Sequence, residues 1–248
     1  DLHSFPTRRS SDLDLIMFSS HTCNRNRKHL SFRYYPFLIR LRINRKRVPL
    51  DLSQYVEYEG PQQMSDYYAE WTKDVKERKD DRIFAIERYC GWISMDINSF
   101  LRGKTQSISE LNASIINTLD TMFKSSPCFR DNIVLYRSLP LFVIEKILAE
   151  MKTYGFFQEK GFLSTSICFR GISFFQSETV GAESKWVLKL YAGKGIPAMY
   201  VGDVKGEGME EREEYEVILP RNSKIVIFNG PYKEKTHGFW MFEGFLEY

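Results

Sequence analysis

The stretch Glu214-Tyr215-Glu216-Val217-Ile218-Leu219-Pro220 decides the fold of this chain. Two carboxylates precede a short β-branched, apolar run that a proline ends, which predicts a strand. Side chains two residues apart on a strand project from the same face, so Glu214 and Glu216 are expected to enter one space. Like charges placed side by side repel and lose hydration, which is typical of functional sites. For this stretch alone, a solvated strand end is the alternative, because further glutamates lie just upstream.

Length and composition allow one large domain, or one domain with an extension. The 248 residues are 43% hydrophobic and 15% aromatic, enough to build a well-packed core. No apolar run approaches the roughly 20 residues that cross a membrane, so no membrane span is expected. The cysteines show no paired spacing and no nearby histidine cluster, which argues against a zinc site and a disulfide framework. No bound metal is predicted.

Positive charge is concentrated near the start of the chain. Residues 25–47 carry nine Lys and Arg residues and no acid, a pattern that alone indicates nucleic acid or an anionic membrane surface. Residues 4–13 resemble a translated sequencing adapter, so residues 1–13 are interpreted as an assembly artefact. The native N-terminus and any signal peptide are then expected to be missing. Residues 14–54 are interpreted as a basic extension, and no nucleic-acid partner is expected.

Apolar residues at helical spacing predict four helices after residue 61. The first begins near residue 62, and the second carries one apolar stripe from Ile83 to Leu101. A capping box formed by Ser107 and Glu110 is expected to open the third. The fourth is expected between a proline at position 140 and a glycine at position 155.

Alternating and β-branched runs predict strands along the rest of the chain. They are expected at residues 132–138, 161–166, 184–192, 198–202, 214–220, 224–228 and 238–246. A helical N-terminal part followed by a mostly antiparallel sheet is an α+β layout, not a series of βαβ units.

Three stretches upstream of the glutamates carry residues suited to a polar site. A strand ends in Arg137-Ser138, another ends in the hydroxyl residues Ser164-Thr165-Ser166, and Phe174-Phe175 lies in the loop that follows. Each alone has an ordinary explanation: a surface charge, hydroxyl groups at a sheet edge, and core packing. Their order along the chain, together with the glutamate pair, is more specific.

In the order Arg, Ser-Thr-Ser and Glu-x-Glu, these stretches resemble the Arg–Ser–Glu signature of the ADP-ribosyltransferase exoenzymes, above all the enzymatic components of clostridial and bacillary binary toxins. The resemblance covers about residues 62–248 and extends to supporting stretches at 89–103, 195–200 and 219–222. It implies two roughly perpendicular antiparallel β-sheets flanked by helices, which enclose an NAD cleft. Residues 55–248 are then the ADP-ribosyltransferase catalytic domain.

The resemblance assigns catalytic roles to residues of the signature. Breaking the nicotinamide–ribose bond passes through an oxocarbenium-like state, as glycoside cleavage does. Glu216 is expected to hydrogen-bond the ribose 2′-hydroxyl and stabilise the developing positive charge. Ser164 is expected to hold Glu216 in place, and Glu214 to meet the nucleophile. Glutamate at that position accompanies arginine acceptors in this family, since a carboxylate orients and deprotonates a guanidinium.

The resemblance also assigns the residues that bind NAD. Arg137 and Arg102 are expected to neutralise the pyrophosphate, because a forked guanidinium matches two oxygens. Asn98 belongs to the same NAD-binding turn as Arg102. Ser138 is expected to offer backbone groups to the nicotinamide amide, and Phe175 to lie against the nicotinamide ring.

The chain departs from the family pattern in two places. The second arginine that often follows the loop phenylalanine is absent, and Lys185 is the substitute that the sequence offers. The acceptor loop is acidic over residues 210–213, where the family usually carries an aromatic residue. That difference argues against actin, the family's usual target, and favours a basic patch around the target arginine.

The resemblance implies a mono-ADP-ribosyltransferase that moves ADP-ribose from NAD to an arginine of a protein and releases nicotinamide. One alternative is an NAD glycohydrolase, which needs Glu216 and Arg137 but not Glu214. Another is a catalytically dead NAD- or partner-binding module of a larger toxin or phage protein. A toxin-like enzyme would be secreted or delivered into a target cell, where a translocation partner is a further expectation.

Overall fold

The computed structural model describes residues 51–78, 80–172, 186–204, 215–236 and 238–247. A short 3₁₀ helix at Leu52–Gln54 comes first. The α-helices of this part of the chain are α1 (Gln62–Arg78), α2 (Asp81–Arg88), α3 (Ser94–Leu101), α4 (Glu110–Ser125) and α5 (Leu141–Tyr154).

The apolar stripe predicted to form one helix from Ile83 to Leu101 is divided between two. A π-helical turn at Tyr89–Ile93 separates α2 from α3, and Gly91 within it has non-helical dihedral angles of φ −95° and ψ −155°. Glycine has the lowest helix propensity after proline, which makes this the weakest point of the stripe. Residues nine apart on a straight helix lie on opposite faces and about 13 Å apart along the axis. The break instead lets Asn98 Nδ2 donate to the Tyr89 hydroxyl at 3.0 Å.

Helix ends follow local chemistry, although one cap was assigned to the wrong serine. Ser109, not Ser107, is the N-cap of α4, and its hydroxyl accepts from the backbone N–H of Asn112 at 3.2 Å. Pro140 is the N-cap of α5. Gly155 ends that helix in the left-handed region at φ 76°, where a residue without Cβ is least strained.

The described strands all belong to a single hydrogen-bonded sheet. They are β1 (Ile133–Ser138), β2 (Phe157–Glu159), β3 (Leu163–Ser166), β4 (Trp186–Ala192), β5 (Met199–Tyr200), β6 (Glu216–Leu219), β7 (Ser223–Lys233) and β8 (Trp240–Glu247). Their order is β2-β7-β8-β4-β1-β3-β6-β5. Every pair is antiparallel except β4 with β8, which is parallel. The α+β class predicted from sequence is confirmed, whereas β2 was not predicted.

Strands β1 and β3 are paired over a shorter length than the other neighbouring strands of the sheet. One residue pair, Tyr136 opposite Ser166, defines that register, whereas β1 and β4 are in register along the whole of β1. The strands thus form a group β2-β7-β8-β4-β1 and a group β3-β6-β5. Whether the two groups lie at right angles, as predicted, stays a prediction.

Among the described residues, two buried clusters contribute to the core. The first joins the helices to the β3-β6-β5 group, and its fully buried members include Ile86, Leu119, Phe162 and Ile218. The second lies against β1, β4 and β8 and includes Val187 and Phe239. The helical part of the chain therefore packs on the strands that carry the hydroxyl and glutamate motifs. Within the part of the chain described, no helix has the length and apolarity needed to cross a membrane.

Candidate functional site

Three motifs that lie far apart in sequence meet on adjacent strands. Strand β3 lies between β1 and β6, and its Ser166 is opposite Tyr136 on one side and Glu216 on the other. Neighbouring strands are about 4.8 Å apart, so the backbone beside Arg137 lies about 10 Å from that of Glu216. Strand order alone therefore brings the arginine, serine and glutamate motifs together.

Glu216 and Ser164 share one face of the sheet. Glu216 is opposite Ser166, and Ser164 is opposite Ile218, so these residues project from the same side of β3 and β6. That side faces the helices, because Ile218 belongs to the core cluster beneath them. The Glu216 side chain is buried, with 7% of the residue exposed. A carboxylate held between a sheet and a helical layer suits the stabilisation of positive charge away from water.

Arg137 is tied to the neighbouring strand. Its Nη1 donates to the backbone carbonyl of Ser164 at 2.7 Å, which fixes the guanidinium beside the hydroxyl motif. Burial lowers the pKa of Arg137 from its ordinary value, while the nearby carboxylates of Glu159 and Glu216 oppose that shift. An arginine stays charged at neutral pH in any such environment. The structure thus places a positive group within electrostatic range of the Glu216 carboxylate.

Arg102 forms a buried, two-pronged ion pair that sequence reasoning missed. Its Nε and Nη2 donate to the two carboxylate oxygens of Glu159 at 2.8 and 3.0 Å. The exposed fraction of the side chain is 13% for Arg102 and 2% for Glu159. The backbone N–H of Gly161 donates to the same carboxylate at 2.9 Å. Burial by itself raises the pKa of Glu159, but the Arg102 hydrogen bonds and the Arg137 charge outweigh it and hold that pKa below its ordinary value.

Tyr89, which opens the family-like stretch 89–103, links the helices to the hydroxyl motif. Its fully buried hydroxyl accepts from Asn98 Nδ2 at 3.0 Å and donates to the backbone carbonyl of Phe162 at 3.3 Å. Burial raises the pKa of Tyr89 to about 12, and side-chain hydrogen bonds with Ser164 and Asn98 oppose part of that rise. The phenol is therefore protonated at neutral pH, and it donates its one hydrogen to the Phe162 carbonyl.

Asn98 uses both ends of its amide to hold the entry to β3. Besides its bond to Tyr89, its Oδ1 accepts from the backbone N–H of Phe162 at 2.9 Å. Only 7% of Asn98 is exposed. The structure thus brings Asn98 to Phe162 and Arg102 to Glu159, on either side of Gly161. The backbone N–H of Gly161 donates to Glu159. The predicted role of Asn98 in NAD binding stays a prediction.

Gly161→Ala is expected to destabilise the protein, because an added Cβ would lie 2.4 Å from Asn98 Oδ1 and 2.9 Å from its Cγ. Asn98 is buried and bonded at both ends, so relief requires breaking one of its hydrogen bonds. Overpacking of this kind costs about 1–3 kcal/mol, to be measured by denaturant unfolding. Gly193→Ala is the matched control, since its Cβ would meet only Asn132 Oδ1, at 3.9 Å. Equal stability of the two variants would show that the Asn98 side chain moves aside without a loss of stability.

The expected projection of Glu214 and Glu216 into one space stays a prediction. Strand β6 begins at Glu216, and Tyr215 before it has a φ of 44°, outside the extended region. Glu214 and Phe175 lie outside the described residues. Ser138 lies at the end of β1, opposite Val187, and its proposed contact with nicotinamide stays a prediction.

The missed residue Glu159 left only a weak signal in the sequence. Glu159 ends a strand of three residues, which is too short to show an alternating pattern. The available signal was an acidic residue between the apolar pairs Phe156-Phe157 and Gly161-Phe162. Across the described residues, no cluster of three or more His, Cys, Asp or Glu side chains is placed to hold a metal ion.

Arg137 on β1, the hydroxyl residues of β3 and Glu216 on β6 form one polar site on an α+β scaffold. The family model for the ADP-ribosyltransferase exoenzymes matches residues 62–238, more than two thirds of the chain. The chain therefore belongs to the ADP-ribosyltransferase exoenzyme family, a class of NAD-dependent transferases. The resemblance stated from the sequence is confirmed.

Solved structures with the same fold are distant in sequence. The ADP-ribosyltransferase toxin Plx2a from Paenibacillus larvae is 19% identical, with a TM-score of 0.60 over 81% of this chain and 100% of that one. C3stau2 from S. aureus, solved with NAD, is 16% identical, with a TM-score of 0.57 over 78% and 99%. BECa of C. perfringens, solved with NADH, is 20% identical, with a TM-score of 0.59 over 78% and 50%. A comparison with curated proteins finds no match.

Proposed function

We propose that this protein transfers ADP-ribose from NAD to an arginine side chain of a protein and releases nicotinamide. The observation that carries the proposal is the convergence of Arg137, Ser164 and Glu216 on adjacent strands, with Arg102 electrostatically coupled to Arg137. Two arginines supply charge for a pyrophosphate, and a buried carboxylate supplies charge for an oxocarbenium-like ribose.

The reaction exchanges one bond for another at the ribose carbon. The bond from C1′ to the nicotinamide nitrogen breaks, and nicotinamide leaves with the bonding electrons. Glu216 holds the ribose 2′-hydroxyl and stabilises the positive charge left on the sugar. A guanidinium nitrogen of the target arginine then bonds to C1′, and Glu214 takes the proton released from it.

Binding residues surround that centre. Arg137 and Arg102 neutralise the pyrophosphate, and Ser138 and Phe175 bind the nicotinamide end. Ser164 holds Glu216 in place from the neighbouring strand, on the same face of the sheet. Asn98 holds Tyr89 and the entry to β3 around the NAD site.

The target is a protein with a basic surface around the modified arginine. The acidic segment at residues 210–213 lies directly before the glutamate pair, so it favours a partner of opposite charge. Members of this family are secreted bacterial toxins, and we extend to this chain the proposal that it acts inside a target cell.

The proposal is tested with NAD labelled in its phosphates and two acceptors, a crude lysate and arginine methyl ester. Label is expected on arginine in both, with one nicotinamide released for each transfer. Nicotinamide release without label would instead show an NAD glycohydrolase. Bound NAD with neither product would show a catalytically dead binding module. Label on another residue type, mapped by mass spectrometry, would overturn the arginine specificity alone.

A further inference from the structure

Glu159 controls the orientation of Arg102 through the edge of the guanidinium that it binds. The Glu159 carboxylate accepts hydrogen bonds from Nε and Nη2 of Arg102, at 2.8 and 3.0 Å. A guanidinium is planar and carries its five N–H groups in a fixed fork. Binding of the Nε–Nη2 edge therefore leaves the Nη1–Nη2 edge directed away from Glu159. Such an edge can form two parallel bonds with phosphate oxygens.

Burial shows which partner is the anchor. The side chain of Glu159 is 2% exposed, and that of Arg102 is 13% exposed. The carboxylate is further fixed by the backbone N–H of Gly161, at 2.9 Å. Glu159 ends β2, whereas Arg102 is the C-cap of α3, so the pair joins the helical part to the sheet. A rigid acceptor thus holds the arginine, whose side chain is the more exposed of the two.

Charge balance gives Glu159 a second effect. The charges of Glu159 and Arg102 both act on Arg137, one favourably and one unfavourably. Two guanidinium groups in electrostatic range repel each other, and repulsion of this kind is stronger in a partly buried site than in water. The Glu159 carboxylate, which bonds Arg102 and also acts on Arg137, offsets that repulsion and lets both arginines stay near one anion.

We propose that Glu159 is a positioning residue for NAD: it fixes the guanidinium of Arg102 in the orientation that binds the pyrophosphate and keeps Arg102 and Arg137 together. The inference rests on the proposed role of the two arginines in NAD binding. Glu159 itself touches no reacting atom, so its loss acts mainly on KM for NAD and much less on kcat.

The test measures the Kd of NAD by calorimetry for the wild type, Glu159→Gln and Glu159→Asp. Glutamine keeps the shape without the charge, and aspartate keeps the charge but is too short for both bonds. Each variant is expected to bind NAD about 10–100-fold more weakly, the range expected for losing a charge-assisted hydrogen bond. Binding of ADP-ribose, which also carries the pyrophosphate, should weaken equally.

Glu150→Gln is the matched control. Glu150 pairs with Lys146 at 3.6 Å and accepts from the backbone N–H of Gln158 at 2.9 Å, one residue before Glu159. The variant therefore loses a carboxylate bound to the same strand, away from the arginines. Its NAD affinity is expected to equal that of the wild type.

A double-variant cycle with Arg102→Gln separates positioning from a general structural role. If Glu159 acts through Arg102, adding Glu159→Gln to Arg102→Gln should weaken NAD binding little further. The double variant also removes both charges of the pair, so it leaves no unpaired charge at this position and is expected to be more stable than Glu159→Gln alone. Full additivity of the two losses would overturn the inference.

The remaining outcomes separate this inference from the proposed function. Wild-type affinity in folded Glu159→Asp, with weak binding in Arg102→Gln, would overturn the role of Glu159 and leave NAD binding by the arginines intact. Unchanged binding in Arg102→Gln would overturn both the Arg102 assignment and this inference. A wild-type protein that binds no NAD would overturn the proposed function itself.

Discussion

Glu216→Gln is expected to lower nicotinamide release and transfer to arginine together, by about 10²–10⁴-fold. The substitution keeps the shape of a side chain that is 7% exposed but removes its negative charge. Stabilisation of the oxocarbenium-like state is needed whether water or arginine is the acceptor, so both activities fall. Nicotinamide release and label on protein are measured on the same samples, with a denaturation curve to confirm folding.

Glu214→Gln is expected to separate the two activities. The charge at Glu216 remains, so slow hydrolysis with water as acceptor should persist. Transfer should collapse, because the group that aligns and deprotonates the guanidinium is lost. Equal loss of both activities in this variant would contradict the division of roles between the glutamates. Retained hydrolysis in Glu216→Gln would contradict the role given to that residue.

The second large effect concerns stability. Glu159→Gln is expected to lower the free energy of unfolding by about 3–5 kcal/mol at pH 7, because it leaves Arg102 buried without its anion. The folded-state pKa of Glu159 lies below its ordinary value. Its stabilisation is therefore fully present above about pH 5 and is lost as the pH falls through the folded-state pKa. The difference between wild type and variant should shrink over that range.

Urea unfolding at a series of pH values measures this difference. Glu77→Gln is a suitable control, since Glu77 pairs with Lys73 at 3.7 Å and the two side chains are 66% and 73% exposed. Such surface pairs contribute little to stability. A constant difference between wild type and Glu159→Gln from pH 7 to pH 3 would contradict the ionised state assigned to Glu159.

Local patterns in the sequence located the strands that carry the site, because each contains apolar or β-branched residues in a short run bounded by turn residues. The segments ending in Arg137 and Ser166 and the one starting at Glu216 are strands in the structure. Their neighbours in the sheet were not predictable from residues alone. Nothing in the local pattern states that β3 lies between β1 and β6, since strand order is decided by packing of the whole sheet.

The rest of the site depends on contacts between distant residues. The bond of Asn98 to Tyr89 requires the break at Gly91, whereas the apolar periodicity from Ile83 to Leu101 favours a single helix. The pairing of Arg102 with Glu159 spans 57 residues and ends on a strand too short to detect. Sequence reasoning thus found the residues of a known signature and missed the contacts that hold them in place.

The position of β3 between β1 and β6 also governs when the site exists during folding. Arg137 precedes Glu216 by 79 residues, so the two meet only after a long segment has closed on itself. Closing a loop of that length costs conformational entropy. The strands therefore stay unpaired until β3 pairs with both β1 and β6. Helices α2 to α4 can gain local structure early, because they also contact one another and those contacts are short in sequence. A newly made or refolding chain therefore stays inactive until its C-terminal strands are in place.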